Sequence, residues 1–333
     1  GHSISRDFTI TVDDLIEGSL ADGYISGATV FRDENGDGVQ GLQSDGVTPE
    51  ISTITDDKGD FSIDDGPGDL VAVGGTDIST GLPFEGQFTA PADSTVINPV
   101  TTLVKALADS GETDAESKVK EALGIDTSVD LENYDPIAEA ANADDTTQAA
   151  TAVKVLAAAA KVANVLEQTT VIIQTADDSG AIGDESAFDA AANALADSIS
   201  GLGAGAELDL DDSAVLAAVV TDSAAAVAGQ SSDAALTTTI ATVAADAAAV
   251  IASVNQEVTE AADTFEASGG SADDALDTLV EVAQLQSAVK SGSGVSEDLA
   301  AQVASVDTLV DDNIDNLAAA QAAIDTALDQ VDD

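Results

Sequence analysis

The chain has 333 residues, with 63 acidic and 9 basic side chains and a formal net charge of −54. Nucleic-acid binding is excluded on that balance, because it relies on Lys and Arg neutralising phosphates, and anionic membrane surfaces are disfavoured for the same reason. Hydrophobic residues make up 44% of the chain at regular spacing, which argues against disorder, while Cys, Met and Trp are all absent.

Composition divides the chain near residue 98. Five of the seven Phe lie before it, at 8, 31, 61, 84 and 88, among Gly, Asp and Thr. Alternating apolar runs predict strands at 8–12, 28–31, 52–55, 60–63, 70–73 and 86–89, hence a small antiparallel β-sandwich over residues 1–97. Behind the β-type stretch 25–31 stands an acidic loop, Asp33-Glu34-Asn35-Gly36-Asp37-Gly38. Oxygen-bearing side chains on alternate residues followed by a turn glycine suit Ca²⁺, which takes six to eight oxygens at roughly 2.3–2.6 Å. Asp33, Asn35 and Asp37 are the side-chain candidates, with the Val39 carbonyl as a fourth oxygen. The alternative is a solvated Asn/Asp/Gly turn. Thr55-Asp56-Asp57-Lys58-Gly59-Asp60-Phe61 predicts a hairpin turn. With Asp64 and Asp65, its acids Asp56, Asp57 and Asp60 form a second cluster, either completing the first site across the sheet or making another.

From Asn98-Pro99 onward alanine dominates and the apolar period becomes helical. Asn as cap with Pro at the first helical position marks a helix start, and Asp135-Pro136 repeats the device. Helices are predicted at 99–109, 114–123, 136–142, 146–175, 185–199, 212–228, 232–267, 272–290 and 296–331. They form an elongated Ala-rich α-helical bundle over 98–333, with heptad-like seams in the seventh (Leu236, Ile240, Val243, Ala247) and the last (Val303, Val306, Val310, Ile314). Acidic pairs such as Asp144-Asp145 and Asp211-Asp212 complement the dipoles of helix starts. The fold class is α+β and multidomain. No stretch reads as a transmembrane helix, since the longest apolar run, 153–166, is broken by Lys154 and Lys161. No secretory signal stands at the start.

Residues 25–131 resemble a known family. Ser26-Gly27-Ala28-Thr29-Val30-Phe31 followed by Asp33-Glu34-Asn35-Gly36-Asp37-Gly38 looks like the opening of a calcium-binding Cna-B/prealbumin-like sandwich, as in serine-aspartate repeat adhesins, and residues 55–61 match its turn. Val71-Ala72-Val73-Gly74-Gly75-Thr76-Asp77, then Thr95-Val96-Ile97-Asn98-Pro99, resembles modules of very large secreted, RTX-type surface adhesins of marine bacteria. The RTX nonapeptide repeats are absent, which implies an internal or N-terminal piece. The family loop usually carries acids where Gln40 and Ser44 stand here; Asp45 or Glu50 is the candidate replacement.

Catalysis finds little support: there is no thiol, His2 is the lone histidine, and with 63 acids any carboxylate pair is expected by chance. The resemblance implies a non-enzymatic extracellular, cell-surface module stabilised by Ca²⁺ and acting in adhesion or as a spacer. Its partners would be other surface-protein modules or copies of itself. One alternative is a self-assembling subunit of a filament, matrix or surface layer, with residues 4–12 adding as a strand to a neighbour. Another is a domain that recognises an extracellular peptide or glycan.

Overall fold

The computed structural model describes residues 15–268 except 144, together with 270, 271, 275, 278 and 282. The expected strand at 8–12 and the helices at 272–290 and 296–331 lie outside the described residues, apart from those isolated positions.

Among the described residues nine strands precede seven helices, an α+β fold. The strands are β1 (Leu15–Leu20), β2 (Ile25–Ser26), β3 (Thr29–Asp33), β4 (Ser52–Ile54), β5 (Asp60–Asp64), β6 (Asp69–Val73), β7 (Thr76–Asp77), β8 (Gln87–Ala90) and β9 (Val96–Ile97). The helices are α1 (Pro99–Asp109), α2 (Ala115–Ala122), α3 (Pro136–Ala141), α4 (Thr146–Ala176), α5 (Asp184–Ser200), α6 (Ser213–Val227) and α7 (Leu236–Ser268).

One sheet has the order β4-β3-β6-β8 and is antiparallel throughout. A second has the order β5-β1-β9, and its β1–β9 pair is parallel, so the sheets are not wholly antiparallel as expected. The chain leaves β8 through a turn closed by Ser94 N–H donating to the Pro91 carbonyl at 3.0 Å, and β9 then joins the other sheet in the same direction as β1. β1 was not foreseen because Gly18 weakens its strand pattern. That glycine is required by close approach: a Cβ there would fall 2.1 Å from the Thr95 carbonyl oxygen.

Arg32 on β3 is 1% exposed and ties two turns together, the β5–β6 and the β8–β9 connections. Its Nε donates to the Asp64 carbonyl at 2.8 Å, and Nη1 donates to those of Gly66 at 2.8 Å and Ala92 at 3.1 Å. Burial pulls its pKa down against the opposing pull of Asp65, Asp93 and Asp69.

Asn98 starts α1 with a reciprocal cap. Its Oδ1 accepts from Val100 N and Thr101 N, both at 2.8 Å, and Thr101 Oγ1 accepts from Asn98 N at 2.9 Å. One apolar core runs across the compositional boundary at 97/98. It joins Leu20, Val30, Ala72 and Phe88 of the strands to Leu103 of α1, Leu166 of α4, Phe188 of α5, Val220 of α6 and Ile251 of α7. Phe88 is the joint, stacked on Phe84 at 4.6 Å and edge-on to Phe188 at 5.8 Å between ring centroids.

Helix α4 packs against α1, α3, α5, α6 and α7. Both α4 and α7 are long and apolar enough to cross a membrane by length and composition alone. In α4 most of the apolar window, 72%, is buried inside the protein. A polar pair breaks the apolar α4–α7 contact: Asn164 Nδ2 donates to Asn255 Oδ1 at 3.1 Å, and Asn255 Nδ2 to the Leu210 carbonyl at 2.8 Å.

Candidate metal centre

β3 ends at Asp33, and the chain then makes a long excursion before re-entering the sheet at β4. Within it Asp33 folds the turn onto itself. Oδ1 accepts from Gly36 N at 2.7 Å and Asp37 N at 3.2 Å, and Oδ2 accepts from Gly38 N at 2.8 Å. Gly36 and Gly38 both sit at φ 74°, in the left-handed region that a side chain resists. Asn35 Oδ1 accepts from Asp37 N at 2.8 Å, and Asp37 Oδ1 accepts from Val39 N at 2.9 Å. Asn35 Nδ2 donates both to Asp37 Oδ2 at 2.9 Å and to the Leu42 carbonyl at 3.1 Å. A partly positive group therefore already stands between two of the oxygens.

Asp33, Asn35 and Asp37 are thus brought together, and Val39 joins them through its N–H rather than through the carbonyl expected as a fourth oxygen. Asp45 is committed elsewhere: it accepts from Val47 N and Thr48 N at 2.8 Å and from Thr48 Oγ1 at 2.6 Å, closing its own turn. The Thr48 contacts, with that to Val47, hold its carboxyl below the usual range. The acid that reaches the loop is Glu50, 5% exposed, accepting from Glu34 N at 3.3 Å and Gly41 N at 2.8 Å. Glu50 is far beyond the twelve-residue spacing of the family loop. Of the two candidate replacements, Asp45 and Glu50, the structure favours Glu50, which stands two residues before the strand that pairs with β3.

Asp56 and Asp60 are not part of this site. Phe31 pairs with Ser52 and Thr29 with Ile54, so the chain after β4 runs away from Asp33. Six residues of strand at about 3.3 Å each put Asp56 about 20 Å from the loop. Asp56 there caps the β4–β5 turn, accepting from Lys58 N at 2.8 Å and Asp60 N at 3.1 Å. Burial raises the pKa of Asp60, helped by Asp56 and Asp135. Among the described residues, no group of three or more His, Cys, Asp or Glu side chains converges to hold a metal ion. A cation in this loop would therefore draw on the Asn35 amide and backbone carbonyls as well as carboxylates.

Beside the loop lies a cleft of about 140 Å³ between the 33–38 turn, the β6–β8 surface, α1 and α5. Gln87, on β8, forms part of its wall and holds the turn through Nε2, which donates to the Gly38 carbonyl at 3.0 Å. Lys105 on α1 is ion-paired with Asp69 at 3.1 Å and with Asp109. Burial pulls the Lys105 ammonium down, but Asp109 and Asp69 outweigh it and hold its pKa up. Across the cleft, burial pushes the Asp189 carboxyl up to about 6, with Glu185, Asp109 and Asp33 adding and Lys105 opposing. Sequence reasoning missed both Gln87 and Asp189.

Comparison of the chain with known protein families, curated proteins and solved structures gives no match.

Proposed function

We propose that this chain is a non-enzymatic structural module of an extracellular bacterial surface protein, braced by Ca²⁺, whose task is mechanical: to project, connect or attach. The observation that carries the reading is the 33–50 loop, where Asp33, Asn35, Asp37 and Glu50 turn hard oxygens onto one short stretch of backbone. Asp33, Asn35 and Asp37 would hold the ion, with the Val39 carbonyl beside them and Glu50 fixing both ends of the loop. Bound there, Ca²⁺ would supply local positive charge to a chain of net −54, relieving self-repulsion. The apolar core shared by strands and helices supports a unit that carries load as one body. The Cna-B-like resemblance of residues 25–131 supports the extracellular setting. Other modules of the same surface protein, or further copies of this chain, are the proposed partners.

Thermal unfolding in millimolar Ca²⁺ and in chelator tests the reading. Calcium is expected to raise the melting temperature of the native chain, and Asp33→Ala with Asp37→Ala to abolish that increment. Identical melting of the native chain in both conditions overturns it.

A further inference from the structure

We propose that the outer edge of β4 accepts an added β-strand, and that the strand it takes is the stretch 4–12 of a second copy of this chain. The inference rests on the reading of further copies as partners and names the contact between them. It needs no calcium.

The phase of the β3–β4 ladder shows which groups are open. Arg32 N donates to the Ile51 carbonyl and Thr55 N to that of Ala28, both at 2.9 Å, so residues 51, 53 and 55 face β3. The N–H and C=O groups of Ser52 and Ile54 therefore point away from the sheet, of which β4 is an outermost strand. No hydrogen bond among the described residues reaches these four groups. The other outer strands of the two larger sheets are closed. Thr89 on β8 donates through N to Thr102 Oγ1 and accepts at its carbonyl from Thr101 Oγ1, both at 3.0 Å, so α1 covers that edge. On β9, Val96 N donates to the Glu132 carbonyl at 3.1 Å. On β5, the Asp60 and Asp64 carbonyls accept from Asp56 N at 2.9 Å and Arg32 Nε at 2.8 Å.

The surroundings of that edge select the partner. Ile54 is 66% exposed and Val47 78%, and with Val39 and Leu42 they leave large apolar side chains in solvent between residues 39 and 54. Glu50 is buried, so of residues 39–55 only Asp45 presents a charge to solvent. In a chain of net −54 this is a neutral window, where a second copy approaches against the least repulsion. The stretch Ile4-Ser5-Arg6-Asp7-Phe8-Thr9-Ile10-Thr11-Val12 complements it: Arg6 and Asp7 cancel, and Phe8, Ile10 and Val12 recur at the strand period. Laid along β4, it satisfies all four open groups and turns one apolar face toward Ile54. Donor stretch and acceptor edge are different surfaces, so each copy gives and takes at once. Such a contact runs head to tail and builds an open chain rather than a closed dimer.

Sedimentation velocity of the native chain, in chelator and about 0.5 M NaCl to shorten the Debye length to about 4 Å, is the first test. Association that grows with concentration is expected, and Ile10→Pro, which removes a backbone donor from the added strand, should weaken it by about tenfold or more. The second test is amide exchange on the Ile10→Pro chain with a synthetic peptide of residues 4–12 added to millimolar concentration. The Ser52 and Ile54 amides should slow by about tenfold or more, while Thr53, already bonded to β3, stays as it was. Neither test alters a residue of the described fold. Association that survives Ile10→Pro, or Ser52 and Ile54 amides that the peptide leaves unchanged, overturns the proposal. So does a native chain that stays monomeric with those two amides already slow, which places the stretch on its own chain. Association in chelator together with melting that ignores calcium sinks the calcium reading and leaves this one standing.

Discussion

The Tyr24 hydroxyl donates to Asp135 Oδ2 at 3.0 Å, tying the turn after β1 to the start of α3. Ser19 Oγ donates to the same oxygen at 2.7 Å. The other carboxylate oxygen caps the helix, accepting from Ile137 N at 3.0 Å and Ala138 N at 3.1 Å. One aspartate thus serves both a helix end and a strand. Tyr24 is held at φ 55°, a strained conformation for a side chain of its size. Burial, followed by the adjacent Asp135 carboxylate, raises its hydroxyl pKa.

Tyr24→Phe should therefore destabilise the fold by about 1.5–3 kcal/mol, the range for a hydrogen bond to a charged group. Asp135→Ala should cost more, about 3–4 kcal/mol, because the cap is lost as well. Urea denaturation measures both. An Asp135→Ala midpoint no lower than that of Tyr24→Phe contradicts the shared-carboxylate arrangement.

Asn164 and Asn255 are 1% and 0% exposed in an otherwise apolar α4–α7 seam. Asn255→Ala strands the Leu210 carbonyl and the Asn164 amide, and is expected to cost about 1–3 kcal/mol. Replacing both by Leu removes the stranded Asn164 amide but leaves the Leu210 carbonyl unpaired, so it should recover part of that stability while loosening the helix register that buried Asn residues specify in coiled coils. Chemical denaturation gives the first result, and amide exchange along α7 reads the second. A double variant no more stable than Asn255→Ala would count against it.

Glu50 and Asp45 make opposite predictions. Glu50→Ala removes the acceptor of two loop amides from a buried position, costing about 2–4 kcal/mol with or without calcium. Asp45→Ala acts on a solvated turn and should change melting far less. Parallel thermal melts in calcium and in chelator decide the order, and an Asp45 effect equal to that of Glu50 would reverse the assignment.

Asp189 fixes the sign of one pH effect. Its folded pKa of about 6 lies above the ordinary aspartate value of 3.8. Its contribution is therefore fully present below about pH 4 and is lost as pH rises through about 6. The full shift corresponds to about 3 kcal/mol, but the residue keeps solvent access along α5, and screening reduces this to about 1 kcal/mol. In chelator, the native chain minus Asp189→Asn stability difference should thus fall between pH 4 and 7. Other carboxylates titrate in the same window, so the difference between the two proteins is the measurement. A flat difference refutes the shift.

Much of the helical half was legible in the sequence. Asn98-Pro99 and Asp135-Pro136 start helices where the cap chemistry predicts, and α4 was expected at 146–175 and runs Thr146–Ala176. The seventh helix was placed four residues early, because the polar 232–235 segment carries helix-compatible residues that form a turn instead. Strands β3, β5 and β6 were legible from alternation, whereas β2, β7 and β9 are two residues each and too short to show a period. The acidic loop was visible because its residues are neighbours in the chain. Its supporting acid, Glu50, was legible only as one of two candidate replacements beside Asp45, because nothing local in the sequence separates the two.

By itself the sequence determined what depends on local order and on sums: the acidic character, the change from strand to helix near residue 98, the helix caps, and the turn at 33–38. Tertiary structure alone decided which distant groups meet: Tyr24 with Asp135, Asn164 with Asn255, Gln87 with the Gly38 carbonyl, and Asp189 facing the same turn. It also placed Asp56 and Asp60 away from Asp33 through the β3–β4 register. The reason is physical. Caps and turns are set by hydrogen bonds within a few residues, whereas pairings across tens of residues are set by the packing of the shared apolar core, which no local pattern encodes.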